Sequence, residues 1–409
     1  MGKEDEMGLE GRKMNMKRKL LHTPEGVRDI YNDECEKKMI LQDSLHHAMK
    51  EYGYHTIQTP TFEFFDIFGK EIGTTPSKEL YKFFDREGNT LVLRPDITPS
   101  IARSAAKYFI DEDMPIRLCY LGNTFINNNS YQGRLKESTQ LGAELIGDKS
   151  IDADAEILAL ATECLLRAGL TDFQLSVGHV DFLEGLVEAA GLEENEILEL
   201  RDLIANKNFF GVEELVEGFH LNPELSQLFA MLGKFYDGTE ELVQAKSYAK
   251  DYPKILHALI HLEELQKVLE VYGIEKYISY ELGVISHYEY YTGIIFAGYT
   301  FGTGEAIVKG GRYDELLTHF GKDSASIGFA IVVDQLMAAL SRQKIDIPVA
   351  HQNVLIVYED AQKTNAIQLA MQNRKDGRNV ELIRKDTGKT NADYEAYALR
   401  NHLADVIYL

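Results

Sequence analysis

Apolar positions along the chain change their spacing several times, and each change marks an element. From Asp33 to Tyr52, Met39, Ile40, Leu45, Ala48, Met49 and Tyr52 fall on one helical face until Gly53 stops the run. Residues 54–60 are β-prone, and Pro60, which cannot donate to a central ladder, predicts an edge strand or a bend. The stretch 82–93 reads as a hairpin turning at 87–89. Strands follow at 116–121 and 140–147 around a long loop, then a helix over 152–168 closed by Gly169, then a strand at 172–177. Between about 190 and 275, leucine and glutamate at helical spacing replace the β-branched runs, which predicts an all-helical insertion. Strand character returns at 277–285, 291–299 and 305–308. Residues 310–314 lead toward a helix, and 327–333 is a buried strand running into another. After a linker at 341–352 the tail alternates strand and helix.

These runs predict an α+β protein in five parts: a flexible leader over 1–19, a mixed core over 20–189, the helical insertion over 190–275, a second part of the core over 276–344, and a short C-terminal α/β domain over 345–409. Met14 or Met16 offers a native start within the leader.

Charge narrows the choice of partners. The chain carries 43 basic and 65 acidic residues, a formal charge of −22. Such a surface disfavours non-specific nucleic-acid binding, which depends on Lys and Arg neutralising phosphates. Over 191–260 there are 13 acidic and 6 basic residues, read as solvated helical faces. Cys35, Cys119 and Cys164 are scattered, without a CxxC pair, and fit reduced cytosolic thiols. The twelve histidines show neither HExxH nor a paired metal spacing, so neither metal nor cofactor is expected. No apolar run approaches the roughly 20 residues of a membrane span. The charged start lacks the apolar segment of a signal peptide, so a cytoplasmic location is expected.

Chemistry-bearing residues gather in three stretches. The first is Phe125-Ile126-Asn127-Asn128, continued by Gly133-Arg134 through Gln140 to Glu144. The second runs from Ser286-His287 to Tyr290-Tyr291-Thr292-Gly293. The third is Gly310-Gly311-Arg312-Tyr313-Asp314, continued through Gly328-Phe329-Ala330-Ile331 to Gln335. Their frame resembles histidyl-tRNA synthetase, a class II aminoacyl-tRNA synthetase, over roughly residues 20–340. The resemblance implies an antiparallel sheet flanked by helices, and dimerisation through the first helix, strand and proline. It also implies an amino-acid pocket of Asp96, Thr98, Gln140, Glu144, Tyr290 and Tyr291. Chemically the set suits L-histidine: an anion for the ammonium, then Glu144 and a tyrosine hydroxyl for opposite edges of the imidazole.

The departures from that frame are as informative as the matches. Where the synthetase pattern has arginine, this chain has Ile126, Ser286 and Gln335. Activating an amino acid with ATP needs cationic forks on the α-phosphate and carboxylate, and arginine supplies them bidentately. Loss of all three resembles the synthetase paralogue family that serves as regulatory subunit of ATP phosphoribosyltransferase. That resemblance implies a non-catalytic protein, paired with a short-form catalytic subunit for the first step of L-histidine biosynthesis and responsible for feedback by histidine. It implies a dimer within a hetero-octamer, and no tRNA. The tail fits this: it is shorter than the synthetase's anticodon-binding domain and balanced, with 8 basic and 8 acidic residues over 352–409. The alternative is a divergent histidyl-tRNA synthetase, which would retain the three arginines. A synthetase-like protein serving another complex is the third reading.

Overall fold

The computed structural model describes residues 21–69, 75–128, 135–238, 240–284, 290–349 and 353–409; the expected leader lies outside these. Helix α1 (Asn32–Glu51) turns Leu41, Leu45, Ala48 and Met49 inward. Gly53, at φ +85°, ends the run in the left-handed conformation that glycine adopts without a steric penalty. The following strand, β1 (His55–Thr56), is only two residues long. Next come β2 (Phe62–Phe64), β3 (Lys82–Phe84) and β4 (Thr90–Leu93), an antiparallel sheet in the order β2-β4-β3. The β3–β4 hairpin turns where expected: Asp85 accepts from the Asn89 backbone N–H at 2.8 Å, and Gly88 takes φ +87°.

Helix α2 (Thr98–Tyr108) leads to the long paired strands β5 (Ile116–Phe125) and β6 (Glu137–Ile146), each extending beyond the predicted strand into the loop. Helix α3 (Ile151–Arg167) is apolar nearly all round and correspondingly buried. Ser150 caps its first turn by accepting from the Ala153 N–H, and Gly169 (φ +95°) follows its end. Strand β7 (Phe173–His179) passes directly into α4 (Val180–Ala190).

Residues 190–275 form α5 (Glu194–Ala205), α6 (Phe209–Glu217), α7 (Pro223–Phe229), α8 (Glu240–Tyr248) and α9 (Pro253–Tyr272). The all-helical expectation needs one correction. Phe235–Tyr236 is a short strand, β8, paired with β9 (Ile278–Glu281) at the edge of the main sheet. Two residues are too few for any periodicity to announce.

The remaining core strands are β10 (Ile294–Thr300), β11 (Val308–Arg312) and β12 (Ser326–Val332), followed by α10 (Val333–Gln343). Here the expected strand at 305–308 is displaced: Gly310 and Gly311 lie within β11, and a 3-10 turn, Leu316–Phe320, stands where a helix was expected. The glycines are spatial necessities. A Cβ at Gly310 would meet the Phe296 ring at 2.4 Å and the Gly328 carbonyl oxygen at 2.5 Å.

The nine strands of the main sheet run β1-β5-β6-β12-β11-β10-β7-β9-β8. Pairing is antiparallel except for β1 with β5 and β7 with β9, and β1 is indeed an edge strand. Residues Leu41–Asp346 gather into one compact unit, and Ile347–Leu409 with Ile30–Ile40 into a second. The second unit contains β13 (Asn353–Tyr358), α11 (Lys363–Lys375), β14 (Asn379–Arg384), α12 (Asn391–Arg400) and β15 (Asp405–Tyr408). Its three strands are parallel in the order β14-β13-β15. Central β13 buries Val354 and Ile356 in one apolar cluster and Leu355 and Val357 in another, as a strand covered on both faces must.

Candidate functional site

Four segments of the larger unit converge on Glu144, which is 1% exposed at the middle of the sheet. Thr98, at the start of α2, donates to Glu144 Oε1 at 2.8 Å, and Tyr313, just after β11, donates to Oε2 at 2.5 Å. Asp96, 4% exposed, accepts the Ile97 N–H at 2.8 Å and the Tyr290 hydroxyl at 3.4 Å. The Tyr290 ring lies 4.8 Å from that of Tyr291 and 5.9 Å from that of Tyr313. Tyr120 completes the group from β5; its buried hydroxyl lies close enough to Thr98 and Glu144 to affect ionisation, yet makes no hydrogen bond of good geometry.

Sequence creates the room for this cluster through glycines on paired strands. A Cβ at Gly328, the register partner of Glu144, would stand 1.6 Å from Glu144 Oε2. One at Gly142 would stand 2.5 Å from the Tyr120 hydroxyl. Ile97, Ile101, Ile116, Leu118, Leu316 and Leu317 pack with the tyrosines into one core cluster. The polar groups are therefore set in apolar surroundings, where an unmet hydrogen bond is costly.

That burial governs the acids. It pushes the Glu144 carboxyl up to about 8, against the opposing hydrogen bonds from Tyr313 and Thr98. Burial likewise raises Asp96 above the ordinary carboxylate range, and the hydroxyls of Tyr291 and Tyr313 above the ordinary phenol range. The sign for Glu144 follows from linkage. The unfolded carboxyl ionises near 4.5 while the folded one keeps its proton to about 8, so folding stability falls as pH rises through that window. The steepest slope for one such group is about 1.4 kcal/mol per pH unit. Denaturation curves of wild type and Glu144→Gln across the window should therefore diverge progressively toward high pH. A constant gap would show that Glu144 titrates normally.

Of the six expected pocket residues, five assemble: Asp96 with Tyr290, Thr98 with Glu144, and Tyr291 with its ring tilted against that of Tyr290. Gln140 shares the β6 face with Glu144 but lies four residues away, about 13 Å along a strand. Its buried Oε1 has no hydrogen-bond partner. Neither of two surface hollows, one along Arg374–Glu381 and one around Lys149 and Lys322, is lined by any of the six. Ile126 is half-buried beyond the end of β5, its N–H donating to the Lys136 carbonyl at 2.9 Å, and Gln335 is half-buried in the first turn of α10. Ser286 and His287 lie outside the described residues, as do Gly133 and Arg134.

Two buried arginines flank the site and are committed to structure. Arg94 donates to the backbone carbonyls of Thr59, Pro60 and Asn123 at 2.8–3.1 Å. Arg312 grips Asp154 at 2.6 and 2.9 Å, and His261 Nε2 lies 2.8 Å from the other oxygen of the same carboxylate. Sequence reasoning missed Tyr313, although the motif containing it was in view; it directly follows Arg312, the last residue of β11, and its hydroxyl reaches Glu144. It also did not single out His257 and His261, which lie one turn apart on α9.

A family model described as histidyl-tRNA synthetase matches residues 26–336. A protein of Acetivibrio thermocellus named ATP phosphoribosyltransferase regulatory subunit is 39% identical over 88% of this chain and 86% of its own length. The chain belongs to that family of regulatory subunits. A second ATP phosphoribosyltransferase regulatory subunit, from Ruminiclostridium cellulolyticum, is 36% identical over 96% of this chain and 93% of its own. Among solved structures, one from Bacillus halodurans titled as an ATP phosphoribosyltransferase regulatory subunit/histidyl-tRNA synthetase superposes with a TM-score of 0.83. It is 32% identical and covers 95% of this chain and 98% of its own. The class II synthetase-like fold of the regulatory-subunit family is thus the fold of this chain, including the C-terminal α/β unit.

Proposed function

We propose that this chain is the non-catalytic partner of a short-form ATP phosphoribosyltransferase catalytic subunit, and that L-histidine bound around Asp96 and Glu144 restrains that partner. One observation carries the reading: a buried acid–tyrosine cluster is kept where neutral Ile126 and Gln335 stand in place of arginines. The ligand's ammonium would face Asp96 and Tyr290. Its imidazole would exchange with Thr98 or Tyr313 for an oxygen of Glu144. Gln140, with an unmet acceptor, is available to a donor at the far end. Ser286 leaves the ligand's carboxylate to another group. The names of the relatives support a catalytic partner, and dimerisation within a hetero-octamer in the cytoplasm, without tRNA, completes the proposal. Among the described residues no helix is long and apolar enough to cross a membrane.

Feedback then follows from linkage: histidine inhibits to the extent that it binds one quaternary state better than the other. Mixing purified protein with its cognate short catalytic subunit should raise phosphoribosyl-ATP formation and make it sensitive to histidine. A coupling of about 1–3 kcal/mol corresponds to roughly 5–150-fold. With Glu144→Ala, inhibition should move to higher histidine concentration. No change in rate on mixing would sink the proposal; an unshifted inhibition profile would place the feedback site on the partner.

A further inference from the structure

We propose that His179, Asp181 and His257 form a binding site for a divalent transition metal, with Zn2+ as the best fit, tying α9 to the junction of β7 and α4. His179, the last residue of β7, is 4% exposed, and its Nδ1 accepts the Asp181 backbone N–H at 3.2 Å. That nitrogen is consequently unprotonated and presents its lone pair toward the first turn of α4. Asp181 Oδ2 lies 3.9 Å from His179 Nδ1 and 3.7 Å from His257 Nδ1. The three donor atoms fall within 4.8 Å of one another.

Neighbouring groups hold these donors in place. His257 and His261 share a face of α9, and their rings lie 6.1 and 5.1 Å from that of His179. His261 is anchored through Nε2 to Asp154, which is fully buried. Lys254 bonds Glu184 at 2.7 Å and stands 4.0 Å from Asp181 Oδ1, so Oδ2 is the oxygen facing the imidazoles. Two imidazoles and one carboxylate are a borderline-soft donor set suited to zinc, with ligand bonds of about 2.0–2.2 Å and a fourth position left for water. Tetrahedral bonds of that length need donor separations of about 3.4 Å. His257, with 68% of its side chain exposed, can rotate inward, and a turn of the Asp181 carboxylate would close its 3.9 Å separation from His179 Nδ1. The only described bond given up is the long one from the Asp181 N–H.

A cation here would also restrain the chain leading from the tyrosine pair. His179 is the register partner of Ile294, and the Val180 N–H donates to the Gly293 carbonyl at 2.9 Å.

The test is a zinc titration of chelator-stripped full-length protein against a chromogenic competitor, with a parallel Co2+ titration read by its visible absorption. Wild type should bind one ion per chain and give the intense band of tetrahedral cobalt. His257→Ala, a substitution at an exposed side chain, should retain its circular dichroism yet bind zinc at least about tenfold more weakly and lose the band. Asp181→Asn should weaken binding as well. Failure of wild type to bind zinc would overturn the proposal. So would equal affinity in His257→Ala, which would locate the ion elsewhere.

Discussion

Purified protein supplied with L-histidine, ATP and labelled pyrophosphate is expected to give no exchange above background. Amino-acid activation concentrates negative charge on the α-phosphate as the carboxylate attacks, and that charge must meet preorganised cations. At the three places where the synthetase pattern supplies arginine, this chain has an aliphatic, a hydroxyl and an amide: Ile126, Ser286 and Gln335. Removing one such donor costs about 10²–10³ in rate, so three losses should take the reaction below detection. The flanking buried arginines offer no substitute, because Arg94 is spent on backbone carbonyls and Arg312 on Asp154. Exchange at ordinary synthetase rates would revive the reading as a divergent histidyl-tRNA synthetase.

Asp154→Ala should be strongly destabilising. Arg312 and Asp154 are 5% and 0% exposed at their side chains, and the carboxylate accepts two guanidinium bonds on one oxygen while His261 meets the other. Removing it strands a buried guanidinium with Asp314, at 3.2 Å, as its remaining carboxylate and the Asp148 and Ser150 carbonyls as partial acceptors. Breaking a buried pair in this way costs about 3–5 kcal/mol. Urea denaturation of the two proteins measures it directly. A loss below about 1 kcal/mol would mean that Asp314 and the carbonyls suffice.

Long elements and motif positions were legible in the sequence because each carries a repeated signal. Helix α1 announces itself through Leu45, Ala48 and Met49, α3 through its closing glycine, and the buried acid–tyrosine cluster through Asp96, Thr98, Glu144 and the tyrosine pair in motif order. What escaped notice depends on partners distant in the chain. Two-residue β8 exists because β9 offers an edge. Residues 310–314 read locally as the approach to a helix, but β10 and β12 hold Gly310 and Gly311 extended. Tyr313 reaches Glu144 across 169 residues of chain, and His179 meets the α9 histidines only once β7 is placed.

The bonds from Thr98 and Tyr313 to Glu144 give each carboxyl oxygen a hydroxyl partner. A ligand donor that replaces one of these well-seated hydroxyls, as proposed for the imidazole, would gain only the difference between two similar bonds. Affinity built from differences is modest, and its threshold can be adjusted by small changes in the incumbent. For the proposed histidine site, that arrangement would keep the protein silent while the pool is low and let it answer only when mass action overcomes the resident hydroxyl.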